Sequence, residues 1–214
     1  MFFNRQEAGK LLAEALKSHL GEDVVVLALP RGGVPVASPI SFALKAPLDL
    51  IFAHKIGHPL QKEYAIAAIT EGGHMVGHEE ELKRVDKGWL EKEKEKTFQN
   101  MKRQRSLYLQ ERKKPVLKDK IVILVDDGVA TGLTLLAAIL EVKQLNPKKL
   151  IIAVPIAPKN TAEKIKKQVD ELVALKVDED ELFLGAVGAY YEEFVQVQDQ
   201  EVIDLLKKNK QPKS

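Results

Sequence analysis

Two adjacent carboxylates, Asp126 and Asp127, end the apolar run Ile121-Val122-Ile123-Leu124-Val125 and precede Gly128-Val129-Ala130-Thr131-Gly132-Leu133-Thr134. Acids in this position can accept hydrogen bonds from a diol or hold Mg2+ through water. The small residues and hydroxyls that follow offer backbone amides at the start of a helix, where a phosphate is favoured. A sugar phosphate presents both groups. A second anion-binding candidate is Pro30-Arg31-Gly32-Gly33. There the proline limits the turn, Gly32 and Gly33 allow close backbone approach, and Arg31 stands where an anion would meet a helix start. Alone this turn reads equally well as a solvated loop; beside the acidic motif it gains weight. Lys55 adds a third charge, flanked by His54 and His58. The two histidines lie on a segment containing Gly57 and Pro59, so their spacing does not present them on one helical face as metal ligands.

These residues need elements to hold them. The runs Val24–Leu29, Leu48–Ala53, Ile121–Val125 and Leu150–Val154 read as buried strands, with a shorter one at Leu172–Leu175. Helical spacing covers Gln6–Leu20, where Asn4 is a cap and Gly21 a stop, then Val34–Leu44, Leu133–Leu145, Asn160–Val169 and Asp199–Lys208. Strands alternating with helices predict an α/β fold, a Rossmann-like parallel sheet flanked by helices. Ligands belong at the carboxyl ends of such strands, where the loops after Leu29, Ala53 and Val125 all open. Ala65–Thr70 and His74–Val76 predict a hairpin across Gly72-Gly73, with Lys62, Glu63 and Tyr64 near its edge. Glu63 reads as an exposed loop carboxylate rather than a ligand.

The segment 78–114 is different. It is rich in Glu, Lys, Arg and Gln and carries Leu82, Val85, Trp89, Phe98, Met101 and Tyr108 at helical spacing, with the apolar stripe lost between Glu91 and Thr97. It is read as a helical cap insertion of one or two helices that pack on the main domain or on a second copy of the chain, which makes a homodimer a candidate. Its basic end, from Lys102 to Lys114, reads better as a solvated rim attracting a polyphosphate than as an RNA surface.

Val125-Asp126-Asp127-Gly128-Val129-Ala130-Thr131-Gly132 resembles the phosphoribosyl-diphosphate signature of type I phosphoribosyltransferases. Neither a generic strand end nor the acidic pair of a receiver-like domain needs the Ala-Thr-Gly-x-Thr tail. The resemblance covers most of the chain except 78–114. It implies that Asp126 and Asp127 bind the ribose hydroxyls, with Mg2+ held through water or substrate, and that Gly128, Val129, Ala130, Thr131, Gly132, Leu133 and Thr134 take the 5′-phosphate. It implies that Arg31, Gly32, Gly33 and Lys55 meet the diphosphate. Near the C-terminus, Phe183, Val187 and Tyr190 lie among small residues and resemble the hood of purine-salvage members; by that match Phe183 or Tyr190 stacks on a base and Val187 offers backbone contacts. A small C-terminal hood over 182–198 follows. The implied reaction is Mg2+-dependent transfer of the 5-phosphoribosyl group from phosphoribosyl diphosphate to a nitrogenous base, in nucleotide salvage. The alternative is a regulator that binds phosphoribosyl diphosphate without turnover.

Composition narrows the setting. The 214 residues suit one domain, and 45% hydrophobic content is that of a globular chain. With 33 basic and 31 acidic residues the net charge is +2, which argues against a dedicated nucleic-acid or membrane surface. The chain has no cysteine, so disulfides and thiolate metal sites are excluded, and a reducing cytoplasm is the expected location. No signal-peptide core precedes Leu20, and no apolar run approaches membrane-spanning length.

Overall fold

The computed structural model describes residues 1–110 and 112–209. Of the polar run 209–214, the residues beyond Asn209 lie outside the described residues. Five strands form one parallel sheet in the order β2 (Leu48–Leu50), β1 (Val24–Ala28), β6 (Ile121–Val125), β7 (Lys149–Pro158), β8 (Glu171–Asp178). Ala28 pairs with Val125 and Val125 with Ala153, so β1 and β6 end level with each other beside β7.

The apolar runs do not alternate with polar residues because both faces are covered. Val24, Val26, Ala28, Ile123 and Val125 face a layer built by α1 (Arg5–Ala15), α2 (Gly33–Leu44) and α7 (Asp199–Lys208). Val25, Leu27, Val122 and Leu124 face α5 (Leu133–Gln144) and α6 (Lys159–Lys166). Each such Val or Leu contributes about 1.5–3 kcal/mol by leaving water, which is why the central strands are fixed in place. Among the described residues no helix is long and apolar enough to cross a membrane.

Several elements differ from expectation. Helix α1 starts under Asn4, whose side chain accepts from the Glu7 amide at 3.0 Å, but it ends at Ala15 and passes into a tight turn at Lys17–His19. The strand expected over Leu48–Ala53 stops at Leu50. The loop expected over 54–59 is instead strand β3 (Ala53–His58), in a separate antiparallel sheet with β4 (Gln61–Thr70) and β5 (Met75–Gly77). The β4–β5 hairpin forms as expected, but β4 runs back to Gln61 and offers a ten-residue edge, and β3 satisfies its backbone groups there. Lys62, Glu63 and Tyr64 therefore lie in the exposed half of a strand.

Residues 79–109 form α3 (Glu79–Arg84) and α4 (Lys87–Leu109). Asp86 caps α4 by accepting from the Trp89 amide at 2.7 Å. Where the apolar stripe lapses, Glu91–Lys94 and Glu93–Lys96 pairs line the solvent side. The carboxyl-terminal half then buries Met101, Tyr108 and Leu109 in the same core as β1 and α2.

Candidate active site

The acid pair follows β6 directly. Asp126 Oδ1 accepts from the Asp127 amide at 2.9 Å, a local turn that aims both carboxyls off the strand end. Desolvation pushes the Asp126 carboxyl well above its ordinary range; the neighbouring Asp127 charge adds to this, while Lys55 and Arg5 oppose it. Asp127 is also raised, by burial, against the pull of Arg5. Desolvation therefore outweighs the counter-charge near these two adjacent acids.

Part of that counter-charge comes from a residue the sequence reading missed. Arg5 Nε donates to Asp127 Oδ2 at 2.8 Å and Nη1 donates to the Val195 carbonyl at 2.8 Å, with the guanidinium 3.7 Å from the Phe194 ring centroid. The first residues of the chain bring it there: Phe2 bridges Tyr191, the Phe2 amide donates to Tyr190 O, and the Glu192 amide donates to Phe2 O. A signal was present. Arginine in the first turn of a helix opposes the helix dipole and calls for an anion nearby.

The Pro30–Gly33 turn packs straight onto the acids. A Cβ on Gly32 would collide with the Asp127 carboxylate, and one on Gly33 would lie 2.7 Å from the Val125 carbonyl. Only glycine admits this approach. The Leu29 amide donates to Val125 O at 3.0 Å and ties the two strand ends together. Arg31 extends from the same turn, its Nη1 3.4 Å from Asp199 Oδ1 at the start of α7. The Pro30–Arg31 peptide bond is cis.

The loop after the acids is pinned from outside. The Val129 amide donates to Ile156 O at 2.9 Å, and Thr161 Oγ1 donates to Ala130 O at 2.8 Å. Leu133 is buried, Thr134 half-buried and Thr131 exposed. No side chain caps α5 at Gly132, which leaves its first amides open to an anion.

Lys55 reaches this place from a strand. Lys55 pairs with Ala68 on β4, and Ala68 with Ala65 packs on Leu133 and Ala137 of α5, small against apolar. The hairpin so lies over the start of α5. Lys55 is exposed there, with its charge close enough to act on Asp126.

Residues 182–198 close the other side. A Cβ on Gly128 would meet Val187 Cγ1 at 2.5 Å, so Val187 rests on the loop, and Tyr191 donates its hydroxyl to the Asp127 carbonyl at 2.6 Å. Tyr190 does not face the site. It is 2% exposed, its hydroxyl donates to Asp178 Oδ2 at 2.7 Å and accepts from the Leu184 amide at 3.0 Å, and its ring lies 5.4 Å from Phe183. Of the two expected stacking rings, the half-buried Phe183 is the one not locked in this way.

No cluster of three or more His, Cys, Asp or Glu side chains able to hold a metal occurs among the described residues. The acid pair fits Mg2+ in another manner, since that ion keeps waters and takes one or two carboxylates together with substrate phosphate oxygens. Arg5 engages only Oδ2 of Asp127, so Asp126 would be the freer carboxylate for such an ion.

Comparison with known proteins agrees with this geometry. Residues 3–192 match the family model described as "Phosphoribosyl transferase domain". A Mycobacterium tuberculosis protein, "Putative phosphoribosyl transferase Rv0571c", is 36% identical over 208 residues, 96% of this chain and 46% of that protein. The chain thus spans about half the length of the curated relatives it matches. The crystal structure of TT1426 from Thermus thermophilus is 39% identical, with a TM-score of 0.79 over 97% of this chain and 99% of that one. AQ2163 from Aquifex aeolicus, 19% identical with a TM-score of 0.50 over 82% of this chain and 75% of that one, shares the fold. With an acid pair and open helix start on a parallel sheet, and a family match across nearly its whole length, the chain belongs to the phosphoribosyl transferase family.

Proposed function

We propose that the chain transfers the 5-phosphoribosyl group from phosphoribosyl diphosphate to a nitrogen nucleophile, releasing diphosphate, in nucleotide salvage. The observation that carries this reading is the seat of Gly32 against Asp127, which sets a diphosphate-type loop directly beside a ribose-type acid pair. In this reading Asp126 accepts from a ribose hydroxyl, and Asp127, oriented by Arg5, accepts from the other. The 5′-phosphate takes the open amides and hydroxyls from Gly128 to Thr134. Asp126 would hold Mg2+, which would supply neutralising charge to the leaving diphosphate.

Bond breaking at the anomeric carbon passes through an oxocarbenium-like state, with inversion when the nitrogen attacks. Negative charge grows on the departing diphosphate, where Lys55 and Arg31 act more strongly than on the ground state. Val187 and Phe183, in a hood over 182–198, border the space for the base, and α3 with α4 forms a cap behind the β3–β4–β5 sheet. Screening nucleobases and other nitrogen nucleophiles for Mg2+-dependent diphosphate release tests the reading. Release with one class of nucleophile is expected; binding without release for every nucleophile would leave a regulator instead.

A further inference from the structure

Arg31, Asp199 and Tyr108 come from three distant segments: the turn after β1, the first residue of α7 and the last turn of α4. They meet at one atom. Asp199 Oδ1 accepts from the Tyr108 hydroxyl at 2.5 Å and from Arg31 Nη1 at 3.4 Å. The phenol cannot swing away, because Tyr108 is 4% exposed and its ring stacks on Phe52 at 6.3 Å with 13° between planes. Phe52 also lies under the Arg105 guanidinium, 5.3 Å from its ring centroid, and Glu71 grips Arg105 through both carboxylate oxygens at 2.5 and 2.6 Å. The donor to Asp199 is thus fixed from the core outward.

Two physical consequences follow for Arg31. A long arginine side chain loses rotamer freedom when it grips an anion, and a carboxylate that already aims it reduces that loss. A free carboxylate would also compete with phosphate for the guanidinium. Here the short Tyr108 bond occupies the same oxygen, and the Arg31 contact is correspondingly long, so Arg31 is steered without being captured. The geometry points to Tyr108 and Asp199 as positioning residues that act through Arg31 on the diphosphate. This rests on the reading of Arg31 as a diphosphate ligand. It gives the 79–109 helices a role in the site through Tyr108.

The test is calorimetric binding of inorganic diphosphate with Mg2+, and separately of ribose 5-phosphate, to the full chain and to Tyr108→Phe, Asp199→Ala, Arg31→Ala and Tyr108→Phe/Arg31→Ala. Tyr108→Phe keeps the ring on Phe52 and removes only the hydroxyl, which leaves Asp199 free to hold Arg31. It should weaken diphosphate about tenfold and leave ribose 5-phosphate unchanged. Asp199→Ala, at a half-exposed site, should weaken diphosphate several-fold by a second route. In the Arg31→Ala background the Tyr108 substitution should cost nothing more. Unchanged diphosphate affinity in both single variants, an equal loss for ribose 5-phosphate, or a full further loss in the double variant would overturn the positioning role. Failure of the wild-type chain to bind diphosphate, or equal binding by Arg31→Ala, would instead overturn the reading of Arg31 and the positioning role with it.

Discussion

Arg5 Nε lies 2.8 Å from Asp127 Oδ2, so the first turn of α1 ends on the second acid of the pair that follows β6. The arginine side chain is 11% exposed and the aspartate 16%. The contact joins the chain's first helix to its central motif, and it gives the second of two neighbouring acids an arginine partner.

Removing Arg5 should therefore act on ligand before it acts on fold. A hydrogen bond between charged groups contributes about 1.5–3 kcal/mol. Arg5→Ala should weaken ribose 5-phosphate by about tenfold or more, because Asp127 loses its orientation and gains a competing proton. Arg5→Lys, which keeps charge but not the fork, should recover part of it. Titration calorimetry reads both; undiminished affinity in Arg5→Ala would remove Arg5 from the site.

Asp126→Asn should stabilise the ligand-free protein while abolishing its binding. Burial, then the Asp127 charge, raise the Asp126 pKa, so folding favours its protonated form. The ionised carboxyl then costs stability as pH climbs from the ordinary aspartate range through the raised value. The amide carries no such cost. A gain on the order of 1 kcal/mol at pH 8, shrinking toward the ordinary aspartate range, should appear in urea unfolding. A loss of stability at pH 8 would show that the charged form is favoured in the fold.

The same shifts set the pH dependence of binding. Ribose hydroxyls and Mg2+ favour ionised carboxylates, so affinity should rise with pH across the raised range of the pair and binding should release protons. Calorimetry in buffers of different ionisation heat counts those protons. Release should vanish in Asp126→Asn/Asp127→Asn with any residual binding, and proton uptake by the wild-type chain would contradict the assignment.

Helix α4 should prove inseparable from the main core. Met101 is fully buried beside the residues that cover β1 and α2, so Met101→Ala should cost about 2–5 kcal/mol in unfolding free energy. Glu91→Ala, on the solvent side of the same helix, should cost well under 1 kcal/mol. Equal small effects would mean that the helix is an appendage.

The parallel sheet was legible because Val24–Leu29, Ile121–Val125 and Leu150–Val154 have almost no other way to bury every side chain. Lys55 was readable as a candidate charge for the site but not as a strand residue, because the pairing that makes β3 a strand lies in the length of β4 and not in residues 53–58 themselves. Tyr190 read as a ring for a base; the hydrogen bonds that lock it come from Asp178 and Leu184, outside its local pattern. Arg31 was readable only as a candidate for an anion, and Asp199, which joins it to Tyr108, lies 168 positions from Arg31 and 91 from Tyr108. Contacts of that separation leave no periodicity to read.

Titration of the full chain with phosphoribosyl diphosphate, with and without Mg2+, reports whether the acid pair binds this ligand. A ligand held only by the native state raises its unfolding free energy, by about 2.7 kcal/mol at a hundred times Kd. Mg2+-dependent heat and a rise in Tm are expected for the wild-type chain, both lost in Asp126→Asn/Asp127→Asn while that variant stays folded. No heat and no Tm shift at millimolar ligand, or the same response from the double variant, would contradict binding at the acid pair.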